Sequence, residues 1–314
     1  MLSYILRRTL MTIPTLVLVA VAVFALIRLI PGDPAQLMLG DATDTAQLET
    51  LRKQLGLDQS IVVQFLHWAE RVLTGDFGNS ISNNLPVLPL IIERFQVSAS
   101  IVLIAVAIAA LIAVPAGLIA AWKQNEPLDH AIVAGATLML SIPSFWLGLL
   151  LLLYFGMHLG WFPVVGYVAI SDSFAGGSMF LILPIVTLAL IETGVLVRMS
   201  RASAIEVLRL EYVTHARAKG VKEWRVLWRH VLPSAFAPTL TMIGLVLGHL
   251  LGGIAVLETV FTLPGLGRLL VDSIFSRDYP VVQGCLLFTA VIYVVINLLV
   301  DLCYPLFDPR VSIE

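Results

Sequence analysis

A chain of 314 residues with 59% hydrophobic and 13% charged side chains carries about half the charge of an average soluble domain. A mean hydropathy of +0.94 leaves too little polar surface to cover a water-soluble globule, so the surface must face lipid. The formal net charge of -2 points to no nucleic-acid partner, because the charge asymmetry is local rather than global.

Arg7 and Arg8 precede an apolar run over residues 9–30. At the helical rise it reaches roughly 33 Å, enough to cross a hydrocarbon core of about 30 Å. A cleaved signal peptide would have a shorter apolar region and a small-residue cleavage site. This run ends instead in Arg28, Pro31, Gly32, Asp33 and Pro34, and reads as a retained membrane helix with Arg28 reaching the interface. Residues 31–96 are mixed, and form an extracytoplasmic insertion if Arg7 and Arg8 hold the start inside. Within them, residues 45–55 read as a short helix closed by Gly56. Asp58 is expected to cap a second helix that places Val62, Phe65, Leu66, Ala69, Val72 and Leu73 on one face. The turn-rich Gly75-Asp76-Phe77-Gly78-Asn79-Ser80 and then Leu85-Pro86-Val87 lead back to the membrane, making an amphipathic cap.

The second span is expected at 97–121, where Pro115 and Gly117 are tolerated if neighbours satisfy the freed backbone. The third, 130–157, holds Ser141-Ile142-Pro143-Ser144 near its middle, which predicts a kink. Residues 158–178 carry no Lys or Arg and are placed outside. The fourth span is 179–197, the fifth 236–260 and the sixth 281–303, with an outer loop at 261–280. The result is an all-α integral membrane protein of six helices, a single transmembrane domain over 1–314, with both termini cytoplasmic. Cys285 and Cys303 share one apolar segment and read as small hydrophobes.

Signatures of chemistry are sparse. His67, His130, His158, His215, His230 and His249 form no pair at zinc-site spacing, and neither a nucleophile elbow nor a phosphate loop is present. If transport needs ATP, another chain must bind it. Glu192 is the one acidic residue deep within a span, where an ionisable group costs about 2.5–3.5 kcal/mol on insertion scales. Two roles are open to it: lining a polar translocation path or proton relay, or a structural hydrogen bond to a neighbouring helix. His249 and Glu258 are weaker path candidates. Gly244, Gly248 and Gly252 recur at intervals of four and form a face for close helix packing, against either a second subunit or a helix of the same chain.

Residues 198–235 hold eight of the nineteen Lys and Arg against Glu206, Glu211 and Glu223. Ile205, Leu208 and Tyr212 are expected on one helical face, and Trp224, Leu227, Trp228 and Val231 on another beyond Gly220. Two short helices joined at a glycine make either a topology anchor on lipid headgroups or a compact docking knob.

The spacing in this island resembles the cytoplasmic loop of inner-membrane permease subunits of ABC importers. That family's frame is Glu-Ala-Ala, three residues, Gly, nine residues, then Ile-x-Leu-Pro. Here Ala216, Gly220, Leu232 and Pro233 keep it, while Thr214, His215 and His230 replace the Glu, the second Ala and the Ile. The dipeptide, oligopeptide and nickel branch is further suggested by Tyr4-Ile5-Leu6-Arg7-Arg8, Pro31-Gly32-Asp33-Pro34, Gly75-Asp76-Phe77-Gly78 and Glu258-Thr259-Val260-Phe261. Pro264-Gly265-Leu266-Gly267, Arg277-Asp278-Tyr279-Pro280 and Asp308-Pro309-Arg310 complete the pattern.

The resemblance implies a type I ABC importer permease fold in the bacterial inner membrane, with no catalytic, cofactor or metal residues of its own. The implied partners are a second homologous permease, two cytoplasmic ATPase subunits that bind ATP and Mg, and an extracytoplasmic substrate-binding protein. It makes Ala216, Arg217, Lys219, Gly220, Leu232 and Pro233 the ATPase-coupling loop. Arg217 and Lys219 are expected to meet acidic groups, and residues 31–96 to contact the binding protein. Short peptides are the expected cargo, nickel or a metal chelate the alternative. A stand-alone proton-coupled carrier using Glu192 is the rival of another class.

Overall fold

The computed structural model describes residues 2–29, 49 and 58–307. Among them the secondary structure is helical, apart from one isolated antiparallel bridge between Asn79 and Pro86. Among the described residues five helices are long and apolar enough to cross a membrane, or six if one bent pair counts as a single span.

Helix α1 (Leu2–Leu29) lies on the outside of the bundle, with Arg8 3.1 Å from Asp301. Helix α2 (Ile61–Leu73) starts after Ser60, whose side chain makes no capping bond, so Asp58 is not the cap. The face it lays against α1 is aromatic: Phe65 and Trp68 sit 5.4 and 5.6 Å from the ring of Phe24. Of the six residues expected on one face, Phe65, Ala69 and Val72 are half-buried, whereas Val62, Leu66 and Leu73 are exposed. Trp68, unassigned by the apolar periodicity, takes their place because its ring spans the gap to Phe24. The helix expected at 45–55 lies outside the described residues.

Two helices outgrow their expected spans furthest. Helix α3 (Val87–Trp122) has 36 residues, roughly 54 Å at the helical rise and far more than a bilayer core. Its first turns continue because Val87 and Ile91 are buried among Leu266, Val281 and Cys285. Helix α4 (Pro127–Ser141) is followed by α5 (Ser144–Leu151), which widens into a π-helical segment at Leu152–His158. The two helical stretches, Pro127–Ser141 and Ser144–His158, meet at 94°, a break at the place where the kink is expected. Pro143 cannot donate to the preceding turn and forces Ile142 into extended backbone, with ψ 124°.

Helix α6 (Phe174–Leu208) runs 35 residues and takes in the first third of the basic island. Burial of Ser203, Ala204 and Val207 holds its last turns in place. Helices α3 and α6 cross closely at Gly117, where an added Cβ would come within 2.6 Å of Ser200. Ser200 also donates to the carbonyl of Val114 at 3.2 Å. The basic island continues through α7 (Glu211–Ala218) and α8 (Glu223–Val226), then a π-helical turn at Leu227–Val231.

Helix α9 (Leu232–Gly253) breaks at Ile254 and resumes as α10 (Ala255–Val260). The stretch 261–280 is not a plain loop: it carries the amphipathic α11 (Leu266–Phe275) and leads into α12 (Tyr279–Phe307). Val102, Val106, Leu181, Leu188, Leu250 and Leu257 form the main core between α3, α6, α9 and α10.

Candidate functional site

The basic island folds as a small unit with its own core. Val213, Val226, Leu227, Val231 and Ala235 pack with Ala204 and Val207 of α6 and with Val114, Leu118 and Ala121 of α3. The ends of two long helices are therefore part of the loop's interior. Burying Val226 and Val231 completely contributes about 1.5 kcal/mol or more each, sufficient to give the loop a fixed shape.

Gly220 makes the turn between α7 and α8. Its φ is +76°, a left-handed conformation that glycine adopts without strain, and its N–H donates to the carbonyl of Arg217 at 2.9 Å. The next amide, Val221, donates to Ala216 at 3.2 Å, closing the end of α7. Arg217 spans the turn with a two-pronged bond to Glu223, 3.0 and 3.2 Å. It is engaged within the loop, whereas Lys219 is exposed.

Ala216 is buried and Leu232 half-buried, with Pro233 exposed in the first turn of α9. Thr214 and His215, the replaced motif positions, face outward, so the loop's interior does not depend on them. At His230 the backbone carbonyl is what the fold uses: it accepts from the Tyr212 hydroxyl at 3.1 Å, beside Ser234 at 3.0 Å. Ile205 and Leu208 join the loop core, while Tyr212 is exposed beyond the break at Arg209 and Leu210.

The tryptophans correct the expected face. Leu227 and Val231 point into the core, but Trp224 and Trp228 are 57% and 48% exposed. The wider π-helical turn at Leu227–Val231 changes the angular spacing on which the shared face depended. The outward surface is thus two aromatic rings with the Arg225 guanidinium 5.3 Å over that of Trp224, a pattern suited to binding.

Two further residues fasten the loop to the membrane helices, and sequence reasoning passed over both. Asp129, 1% exposed in the first turn of α4, receives a two-pronged bond from Arg201 of α6. It also accepts the Asn125 amide at 2.9 Å, which fixes the turn between α3 and α4. A lone Asp at the start of a span and an Arg four residues into the island were the available signals.

The path candidates separate. Glu192 is 8% exposed, and among the described residues it has no hydrogen-bond partner. Leu188 and Leu196, one turn to either side, belong to adjoining core clusters built with α3 and α9. His249 is exposed. Glu258 is buried, with its carboxylate bonded to Ser98 and to the Arg268 amide. No hydrogen bond links any two of these three: the Glu258 carboxylate is taken up by Ser98 and the Arg268 amide.

The glycine ladder packs against α12 of the same chain. An added Cβ at Gly248 would come within 2.5 Å of Tyr293, and one at Gly252 within 3.1 Å of Thr289. One at Gly244 would overlap Val300.

Taken together, the site offers a rigid, aromatic, basic knob joined to two long membrane helices, which suits transmission of movement rather than bond chemistry. Residues 113–313 match the model of the binding-protein-dependent transport system inner membrane component, and residues 1–105 match that of its N-terminal part. A putative peptide transport system permease protein of Brucella abortus is 43% identical over 100% of both chains. A probable peptide ABC transporter permease protein of Sinorhizobium fredii is 39% identical over 98% of each. A glutathione transport system permease protein of Escherichia coli is 42% identical over 99% of each. Among solved structures, an inward-facing form of the MetNI methionine ABC transporter superposes with a TM-score of 0.57 at 16% identity. That match covers 70% of this chain and 96% of the other, and shows a shared fold.

Proposed function

The chain belongs to the inner-membrane components of binding-protein-dependent transport systems, and from that membership we propose that it is the pore-forming permease subunit of an ATP-driven importer of short peptides. The observation that carries the cargo class is similarity along the whole chain to permeases named for peptides and for glutathione, itself a short peptide. In this reading the subunit performs no catalysis. ATP and Mg bind two separate cytoplasmic ATPase subunits, a second permease completes the path, and an extracytoplasmic binding protein delivers the peptide. The protein sits in the inner membrane with both termini and the basic knob on the cytoplasmic side.

Ala216 and Gly220 shape the coupling loop, Leu232 and Pro233 carry it into α9, and Lys219, Arg225, Trp224 and Trp228 meet the ATPase. Closure of the ATPase pair then displaces the ends of α3 and α6, because the knob's core is shared with both. Glu192 is the path residue in this proposal. Its support is burial within a span without a partner, which a polar cargo or water would compensate.

The test is reconstitution of the permease pair with ATPase and binding protein in proteoliposomes. ATP-dependent uptake of labelled di- to tetrapeptides is expected. Nickel uptake without peptide uptake, or peptide uptake by this chain alone on a proton gradient, overturns the reading.

A further inference from the structure

Residues 261–280 form a strap across the end of the bundle remote from the basic knob, and each of its ends is held by a buried carboxylate. At the near end Glu258, 1% exposed, accepts from the Ser98 hydroxyl at 2.5 Å and the Arg268 amide at 2.7 Å. Ser98 in turn accepts the Leu266 amide at 2.8 Å. The carboxylate thus sits at the start of α11, where unpaired amides and the helix dipole favour an anion. Gly265 leaves the room it needs, since an added Cβ would overlap the Glu258 carboxyl.

At the far end Asp278, 2% exposed, accepts from the Ser80 hydroxyl at 2.5 Å and from the amides of Ile81 and Ser82 at 3.1 and 3.2 Å. Ser80 and Ser98 bound one segment, the turn before α3 and its first turns. Between the two fastenings Leu266 packs with Val87, Ile91, Val281 and Cys285. Gly284 brings α12 against the same place, with an added Cβ 2.8 Å from both Ile91 and Val87. Polar bonds at both ends and an apolar seam between them join the strap to α3 and to the turn before it.

We propose that Glu258 and Asp278 are positioning residues of the transport cycle: they lock the strap 261–280 to residues 80–98, so that strap and α3 travel as one body when that end of the path opens and shuts. Displacement of α3 at the knob is then felt at the opposite end without slippage. Either fastening, once lost, lets the strap lag behind the helix, and ATP is spent without transport. The inference rests on the permease reading only in taking transport as the output.

The experiment uses the complete reconstituted transporter carrying Ser80→Cys with Asp278→Cys and Cys303→Ala. Reduced, it is expected to hydrolyse ATP without binding protein about tenfold faster than wild type and to move about tenfold less peptide per ATP. Oxidation to the disulfide is expected to restore both. A reduced pair as tightly coupled as wild type overturns the proposal, and so does an oxidised pair that hydrolyses ATP but has lost uptake. Should the cysteine pair fail to insert, Glu258→Gln tests the other fastening by the same ATPase ratio, and unchanged coupling sinks the idea. A wild-type complex that hydrolyses ATP but moves no peptide contradicts the permease reading, while the ATPase comparison still decides the fastening.

Discussion

Arg201 grips Asp129 with two nitrogens, Nε to Oδ1 at 2.6 Å and a terminal nitrogen to Oδ2 at 2.7 Å, and so ties the turn between α3 and α4 to the helix that becomes the knob. The carboxylate is fully enclosed while the guanidinium is a quarter exposed. Removing one partner strands a buried charge, which costs about 3 kcal/mol or more where both partners are enclosed and somewhat less here.

Asp129→Asn is therefore expected to lower the thermal midpoint of the purified protein by several degrees. Arg201→Lys should recover little, because an ammonium cannot make the paired bond. The check is a double-mutant cycle by thermal unfolding in detergent; additive effects of Asp129→Asn and Arg201→Lys would deny the coupling.

At Gly220 the cost of a side chain is conformational alone, since nothing lies within 4 Å of an added Cβ and φ is +76°. Gly220→Ala is expected to destabilise the loop by about 1 kcal/mol, and Gly220→Asn by less, because Asn tolerates the left-handed region. Gly220→Asp adds a carboxylate to a surface that presents Lys219 and is expected to lose ATPase stimulation while still inserting. Normal stimulation would reject the docking role.

Trp224 and Trp228 are about half exposed and lie outside the loop's core, so Trp224→Ala and Trp228→Ala are expected to leave the fold intact. Each is expected to weaken capture of the ATPase subunits by about tenfold, the scale of an aromatic interface anchor. Titration of ATPase into permease vesicles measures this. If quenching by brominated lipid reaches both rings and ATPase binding is unchanged, the knob is a headgroup anchor.

The glycine ladder predicts a gradient. Gly248→Ala drives a methyl into the Tyr293 ring and is expected to cost about 1–3 kcal/mol. Gly252→Ala meets only the methyl of Thr289 and should cost less. Trimming the neighbour, with Tyr293→Leu, is expected to return part of the loss at Gly248, read from the thermal midpoints of the single and double variants.

Arg71 donates to Asp76 at 2.8 Å, and together with the Gly78 amide it holds the Asp76 carboxyl below the ordinary carboxylate range. A depressed folded value means that the contribution is complete above the unfolded value and disappears as pH falls through the folded one. The pair is half exposed, so it amounts to a few tenths of a kcal/mol. Hydrogen exchange of residues 71–78 should quicken slightly in strong acid for wild type and not for Asp76→Asn.

Much of the architecture was legible in the sequence, because crossing a bilayer demands long apolar runs with satisfied backbones, and that demand is written locally. The runs, the kink at Pro143 and the glycine at position 220 are all of this kind. Helix ends were less legible: α3 and α6 extend past their apolar stretches because Val87, Ile91, Ser203 and Val207 are buried by segments distant in the chain. The tryptophans were misplaced because periodicity assumes one helical pitch, and the turn at Leu227–Val231 is wider.

The sequence alone determined that this is a multi-span helical membrane protein with a basic loop in a recognisable frame. Only the tertiary structure decided which polar residues meet. Asp129 with Arg201, Ser80 with Asp278 and Ser98 with Glu258 are separated by 72, 198 and 160 positions. Each looks ordinary in its own neighbourhood; inside a bundle, where water offers no substitute, a buried polar group is defined by the partner that satisfies it.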